Sequence, residues 1–160
     1  MLHMLCGKIA AGKSTLAAEL ARAPKTVLVS EDAWLAALYA DEMTTGADYL
    51  RCATRLRSAM SPHVMALLQT GISVVLDFPA NTVESRVWMR DLITRSGTDH
   101  RMHVFDRPDS VCLDRLRQRN ASGTHPFTVS ELQFQRFSAY YQPPGPDEGF
   151  HLLRHGADDA

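Results

Sequence analysis

Apolar and polar positions alternate between a strand period and a helix period along this 160-residue chain. His3 to Cys6 is a short apolar run ending at a glycine, which predicts a buried first strand. Ser14 to Ala23 places Leu16, Ala17 and Leu20 on one face of a helix that Pro24 closes. Thr26 to Val29 is short and rich in β-branched residues, a second strand. Trp34 to Ala40 is helical in composition. From Asp48 to Thr70, Tyr49, Ala53, Leu56 and Met60 recur at helical spacing, and Val64, Leu67 and Leu68 continue the pattern. Pro62 is expected to split or kink this stretch, because it has no amide hydrogen to donate, and Gly71 to end it.

Ile72 to Phe78 is nearly continuous in apolar residues, as a third strand covered on both faces should be. Thr82 to Thr94 reads as a helix, Met102 to Phe105 as a fourth strand and Ser110 to Arg119 as a further helix. Residues 120–126 form a turn-rich loop, followed by a helix from Val129 to Tyr141. Pro143-Pro144-Gly145-Pro146 forbids regular structure, and Phe150 to Leu153 is a candidate last strand. Strands separated by helices predict an α/β fold with a parallel sheet between two helical layers. Without repeats or linkers, the expectation is one domain over 1–155, a lid-like segment near 115–128 and a short tail at 156–160.

Composition changes this picture little. A content of 45% hydrophobic and 22% charged residues is that of an ordinary globular chain. The net charge of −1 gives no general attraction to nucleic acid or to an anionic membrane. Three scattered cysteines suit neither a disulfide framework nor a zinc knuckle, and the histidines suggest no metal set. No apolar run reaches ~18 residues and no leader pattern opens the chain, so a cytoplasmic, reduced protein is expected. The lysines carry more information. There are three, Lys8, Lys13 and Lys25, and two of them lie in one glycine-rich loop.

That loop, Gly7-Lys-Ile-Ala-Ala-Gly-Lys-Ser14, matches G-x-x-x-x-G-K-S at every fixed position. Its glycines let successive backbone N–H groups converge on phosphate oxygens. Lys13 can neutralise β- and γ-phosphates, Ser14 can hold magnesium, and the following helix adds its N-terminal dipole. The loop follows a strand and opens a helix, which is the context this chemistry needs.

Ligands of open parallel sheets bind beyond the carboxyl ends of the strands. Two carboxylates stand there in the sequence. Asp32 follows Thr26–Val29, and Asp77 ends the third strand. Asp32 is the expected base for a substrate hydroxyl, with Glu31 in competition for that role, and Asp77 is expected to order magnesium. The Ser30-Glu31-Asp32 run also suits a helix cap. Arg115 and Arg119 share a helix face just before the 120–126 loop and can close over a transferring phosphoryl group. Arg117 points elsewhere, to a solvated face. Arg86, one turn into the helix after Asp77, is a candidate for the same cleft, and Trp34 for the wall of an acceptor pocket.

With these motifs placed, the chain resembles the small kinase-like branch of P-loop proteins labelled AAA-like ATP-binding domain. It is similar in layout to chloramphenicol phosphotransferase, gluconate and shikimate kinases, zeta toxins and polynucleotide kinase domains. The resemblance rests on Gly7–Thr15, Ser30-Glu31-Asp32, Val74–Asp77, Arg86, Arg115-x-x-x-Arg119 and the tail Tyr141–Phe150. It implies a P-loop NTPase fold with a five-stranded parallel sheet in order 2-3-1-4-5. It also implies ATP-dependent phosphoryl transfer to a hydroxyl, with Mg2+. Residues Gly7, Ala10, Ala11, Gly12, Lys13, Ser14 and Thr15, with Arg115, would hold the nucleotide. Lys13, Asp32, Arg115 and Arg119 would be catalytic, Ser14 and Asp77 would serve the metal, and Asp32, Trp34 and Arg86 the acceptor. Lys8 departs from the pattern, for many relatives carry a small residue or proline there. It either points to solvent or adds a second charge near the phosphates.

The leading expectation is a kinase of small hydroxyl compounds, acting as a monomer or homodimer. A 5′-hydroxyl nucleic-acid kinase would need a basic groove, for which Arg51, Arg55 and Arg57 are the candidates. A nucleotide-binding regulator that transfers nothing is the third alternative.

Overall fold

The computed structural model describes residues 1–123, 125 and 127–156. Five strands are present: β1 (Leu2–Cys6), β2 (Thr26–Ser30), β3 (Ser73–Pro79), β4 (His100–Phe105) and β5 (Leu152–His155). They form one parallel sheet in the order β2-β3-β1-β4-β5. Six helices accompany them: α1 (Lys13–Leu20), α2 (Glu31–Tyr39), α3 (Gly46–Gln69), α4 (Val83–Ser96), α5 (Asp109–Ser122) and α6 (Glu131–Ala139). The expected α/β fold and strand order are both present. Residues 124, 126 and 157–160, parts of the expected lid and tail, lie outside the described residues.

Alternation along the strands builds the two sides of the core. Leu2, Met4 and Cys6 of β1 face α2, α3 and α4 through Leu35, Cys52, Leu56, Met89 and Leu92. Leu5, Val75 and Phe105 face the other way, where Ala17 of α1, Cys112 and Leu116 of α5 and Phe134 of α6 cover them. Each face is therefore sealed, which is why the third strand reads as an unbroken apolar run.

Two elements differ from the sequence expectation. Pro62 does not divide α3, which is a single helix of 24 residues. Proline removes one amide donor there, but Cys52, Leu56, Val64 and Leu68 bury the same stripe on both sides of it. A capping box between Thr45 and Asp48 also secures the start. Helix packing outweighs one missing bond. Helix α2, in turn, begins at Glu31 rather than Trp34, because the Ser30 hydroxyl accepts from the Ala33 amide at 3.4 Å. Glu31 and Asp32 thus occupy its first turn.

Candidate phosphoryl-transfer site

The loop after β1 sits where the chain's path across the sheet reverses, between β3 and β4. Gly7 has φ +154°, and a Cβ there would stand 2.9 Å from the Phe105 Cβ, so only glycine lets the loop lie this close to β4. Ala10 also adopts a left-handed conformation, with φ +61°, and Gly12 has φ +107°. Alternating backbone hands of this kind turn consecutive N–H groups inward as an anion nest.

Helices α2, α3, α4 and α6 each begin on a serine or threonine whose side chain caps them. Helix α1 begins on Gly12 with no side-chain cap. Its first-turn amides are left for an external acceptor, such as a phosphate. The loop carbonyls are held by donors from side chains. Lys13 Nζ donates to the Gly7 and Lys8 carbonyls at 2.6 and 2.7 Å. Asn81 accepts from the Gly7 amide and donates to the Gly7 carbonyl, both at 2.9 Å. Arg107 Nε donates to the Ala11 carbonyl at 2.9 Å.

The carboxylates gather at the same end of the sheet. Ser30 and Asp77 are register partners across β2 and β3, which brings Asp32, in the first turn of α2, to the strand end that carries Asp77. Burial pushes the Asp77 carboxyl above its ordinary range, opposed by a hydrogen bond from the Ser14 hydroxyl and by the Lys13 charge. Burial likewise pulls the Lys13 amine down, with Asp77 opposing. Ser14 and Asp77 thus present two hard oxygen donors in contact. Such a pair fits Mg2+, which keeps several waters and takes few protein ligands beside substrate phosphates. Among the described residues, no group of three His, Cys, Asp or Glu could hold a metal alone.

The adjacent acids Glu31 and Asp32 separate cleanly. Glu31 is buried, accepts from Tyr49 Oη at 2.8 Å and pairs with Arg57 at 3.2 Å. Burial raises its pKa. The Asp32 side chain is 45% exposed, with His125 Nε2 3.5 Å from its carboxylate.

From α5, Arg115 lays its guanidinium against the loop, with an amine 3.5 Å from where a Gly12 Cβ would stand. Arg119 has a buried Nε without a partner among the described residues. Burial lowers its pKa, and the Asp32 carboxylate opposes that shift. Arg117 instead pairs with Asp114 and Glu131 on an exposed face, as its position implied.

Arg86 does not serve the cleft. It is 1% exposed, and its guanidinium forks onto Glu148 at 2.6 and 2.9 Å while donating to the Ala80 and Gln142 carbonyls. Its work is to fasten the proline-rich return of the chain onto α4. Trp34 is 41% exposed. It sits about 200° around α2 from Asp32, so the two do not share a face. Lys8 forms an ion pair with Asp109 at the start of α5 and lies over the Tyr141 ring, 5.8 Å from its centroid. Its charge is therefore engaged by Asp109 at a partly exposed position.

Of the three arginines considered for a basic nucleic-acid groove, Arg51 is paired with Asp48 and Arg57 with Glu31, while Arg55 is exposed. The histidines hold one surprise. His151 and His155 are four apart, a spacing that converges on a helix, but in the extended chain at β5 it separates them by about 13 Å. Each stacks on a different residue of β4, His100 and His103. Asn81, Arg107 and His125 escaped the sequence reading, because no spacing rule links them to the glycine loop.

A family model described as AAA domain matches residues 2–144. No curated protein matches the sequence. Among solved structures, the chain is similar to a candidate kinase from Chloroflexus aurantiacus, with TM-score 0.76 and 22% identity over 97% of this chain and 84% of that one. It is similar to Kti12 of Chaetomium thermophilum in complex with ADP-AlF3, with TM-score 0.74 and 15% identity over 100% and 91%. It is also similar to a sugar kinase from Janibacter sp. HTCC2649, with TM-score 0.64 and 18% identity over 97% and 84%. At these identities the likeness speaks for the fold.

Proposed function

Since the chain belongs to the AAA domain family, whose P-loop fold it shares with kinase-like structures, we propose that it is an ATP-dependent phosphotransferase acting on a hydroxyl of a small molecule. One observation carries this reading: an open carboxylate, Asp32, stands at the same sheet end as the loop lysine and Asp77. An exposed carboxylate there is free to accept a proton, beyond the helix-end role that its place in the first turn of α2 also allows.

In this reading the loop amides and the α1 N-terminus cradle the β- and γ-phosphates, and Lys13 neutralises them. Ser14 and Asp77 would hold Mg2+, which supplies charge neutralisation to the phosphates. Asp32 accepts the proton of the acceptor hydroxyl as its oxygen attacks the γ-phosphorus, and ADP leaves. Arg115 holds the donor side, and Arg119 offers its unpartnered donor to the charge on the phosphoryl group in transfer. His125 borders Asp32, so it would stand beside the bound acceptor.

Of the Arg51, Arg55 and Arg57 cluster, the ion pairs on Arg51 and Arg57 leave Arg55 as the one arginine without an ion pair among the described residues. This favours a small acceptor over a polynucleotide, since a backbone-tracking groove needs several available cations. The test is transfer of the γ-phosphate from radiolabelled ATP to a panel of sugars, nucleosides and hydroxyl-bearing antibiotics, with a 5′-hydroxyl oligonucleotide as one arm. Labelled small product supports the proposal. Labelling of the oligonucleotide alone, or ATP binding without transfer to any acceptor, overturns it.

A further inference from the structure

Asn81 lies just past β3, on the same strand end that carries Asp77, and holds both backbone polar groups of Gly7 at 2.9 Å. The Gly7 carbonyl therefore has two donors, Asn81 Nδ2 and Lys13 Nζ. The Lys8 carbonyl is doubled in the same way, by Lys13 Nζ at 2.7 Å and by the Ala11 amide at 3.2 Å.

An ammonium group has three protons. In this state the loop itself engages two of those on Lys13. Bridging a β- and a γ-phosphate oxygen needs two protons, so at least one loop carbonyl must give Lys13 up. A part-buried carbonyl abandoned by its donor is costly. We propose that the carbonyl released is that of Gly7, whose second bond is the shorter (2.9 Å, against 3.2 Å at Lys8), and that Asn81 is the positioning residue for this release. Asn81 makes the release nearly free by keeping the Gly7 carbonyl bonded when the lysine turns to the phosphates. Its second bond, from the Gly7 amide, ties both polar groups of Gly7 to the same side chain. This inference rests on the nucleotide-binding reading above and adds to it a residue that acts through Lys13.

Calorimetric titration with ATP tests it in four proteins: wild type, Asn81→Ala, Lys13→Ala and the double variant. Asn81→Ala is expected to raise the ATP Kd about tenfold in the wild-type background. In the Lys13→Ala background, titrated to millimolar ATP, it should change Kd less than about twofold, since no lysine remains to be released. A merely structural Asn81 would impose the same loss in both backgrounds, and that result overturns the proposal. An unchanged Kd in the single variant overturns it equally. Asn81→Ser, too short to reach both Gly7 groups, repeats the comparison should the alanine variant fold poorly by circular dichroism. A wild-type chain that binds no ATP would remove the nucleotide reading itself, and this inference with it. Wild-type binding combined with either of the first two failures removes the inference alone.

Discussion

Glu31 and Asp32 are neighbours in the first turn of α2, yet one is sealed between Tyr49 and Arg57 while the other opens beside Asp77. A buried, doubly bonded carboxylate orients structure, and an exposed one can receive a proton. The two acids therefore have separable tasks. Glu31 ties α2 to α3, and that tie fixes the direction of Asp32.

The separation gives the first expected outcome. Asp32→Asn should leave ATP affinity within about twofold and lower transfer by roughly a hundredfold or more, the range for losing a general base. Glu31→Gln should do the reverse. It removes the charge that compensates Arg57 in a buried pair, at a stability cost of about 1–3 kcal/mol, while transfer by the folded fraction persists. Denaturant unfolding and initial rates at saturating ATP read the two effects. Equal loss of turnover in both variants would contradict the division.

Arg86 and Glu148 should behave as a structural pair. Glu148→Ala leaves a buried guanidinium short of its forked partner, and Glu148 is itself only 24% exposed. A loss of about 2–4 kcal/mol in unfolding free energy is expected, with the ATP Kd unchanged. A variant of full stability but impaired acceptor KM would instead return Arg86 to the cleft.

The architecture was legible because it follows from periodicity. Sealed strands such as Ser73–Pro79 announce themselves as apolar runs, and the glycine loop is a local string whose residues need no partner to be recognised. Pro62 misled because its local penalty is outweighed by a buried stripe contributed by other elements. Arg86 misled for a related reason. Its position one turn into the helix after Asp77 suits a cleft, but Glu148 lies 62 residues further on, and no pattern along the chain links the two. Asn81 and Gly7 are 74 residues apart, joined only by the β1–β3 pairing. Contacts made across the sheet are invisible to any window that slides along the sequence.

The two arginines of α5 should also separate. Arg115 lies against Gly12, so Arg115→Ala should weaken ATP binding about tenfold. Arg119 lies toward Asp32 with a donor unpaired among the described residues, so Arg119→Ala should lower kcat by roughly a hundredfold with a smaller effect on ATP affinity. Steady-state kinetics together with direct ATP titration distinguish these patterns. Identical profiles for the two variants would mean that the pair acts as one clamp.

Acid should weaken the fold through His103. This ring is 4% exposed, with His3 Nδ1 at 3.1 Å from one nitrogen and His155 Nε2 at 3.0 Å from the other. Burial first, then repulsion from His3, His155 and Arg101, lowers its pKa from 6.5 to about 4. Above pH 6.5 the ring is neutral in both the folded and unfolded chains, and its contribution to stability is fully present. As pH falls from 6.5 towards 4, the unfolded chain takes up a proton that the folded chain refuses, and stability is lost progressively. His3, lowered by the same burial, adds in the same direction. Replacement by leucine removes the titrating group. Wild-type unfolding free energy, measured in urea between pH 7 and 5, should therefore fall more steeply than that of His103→Leu, by a slope approaching one proton. Parallel slopes would mean that the ring is charged inside the fold.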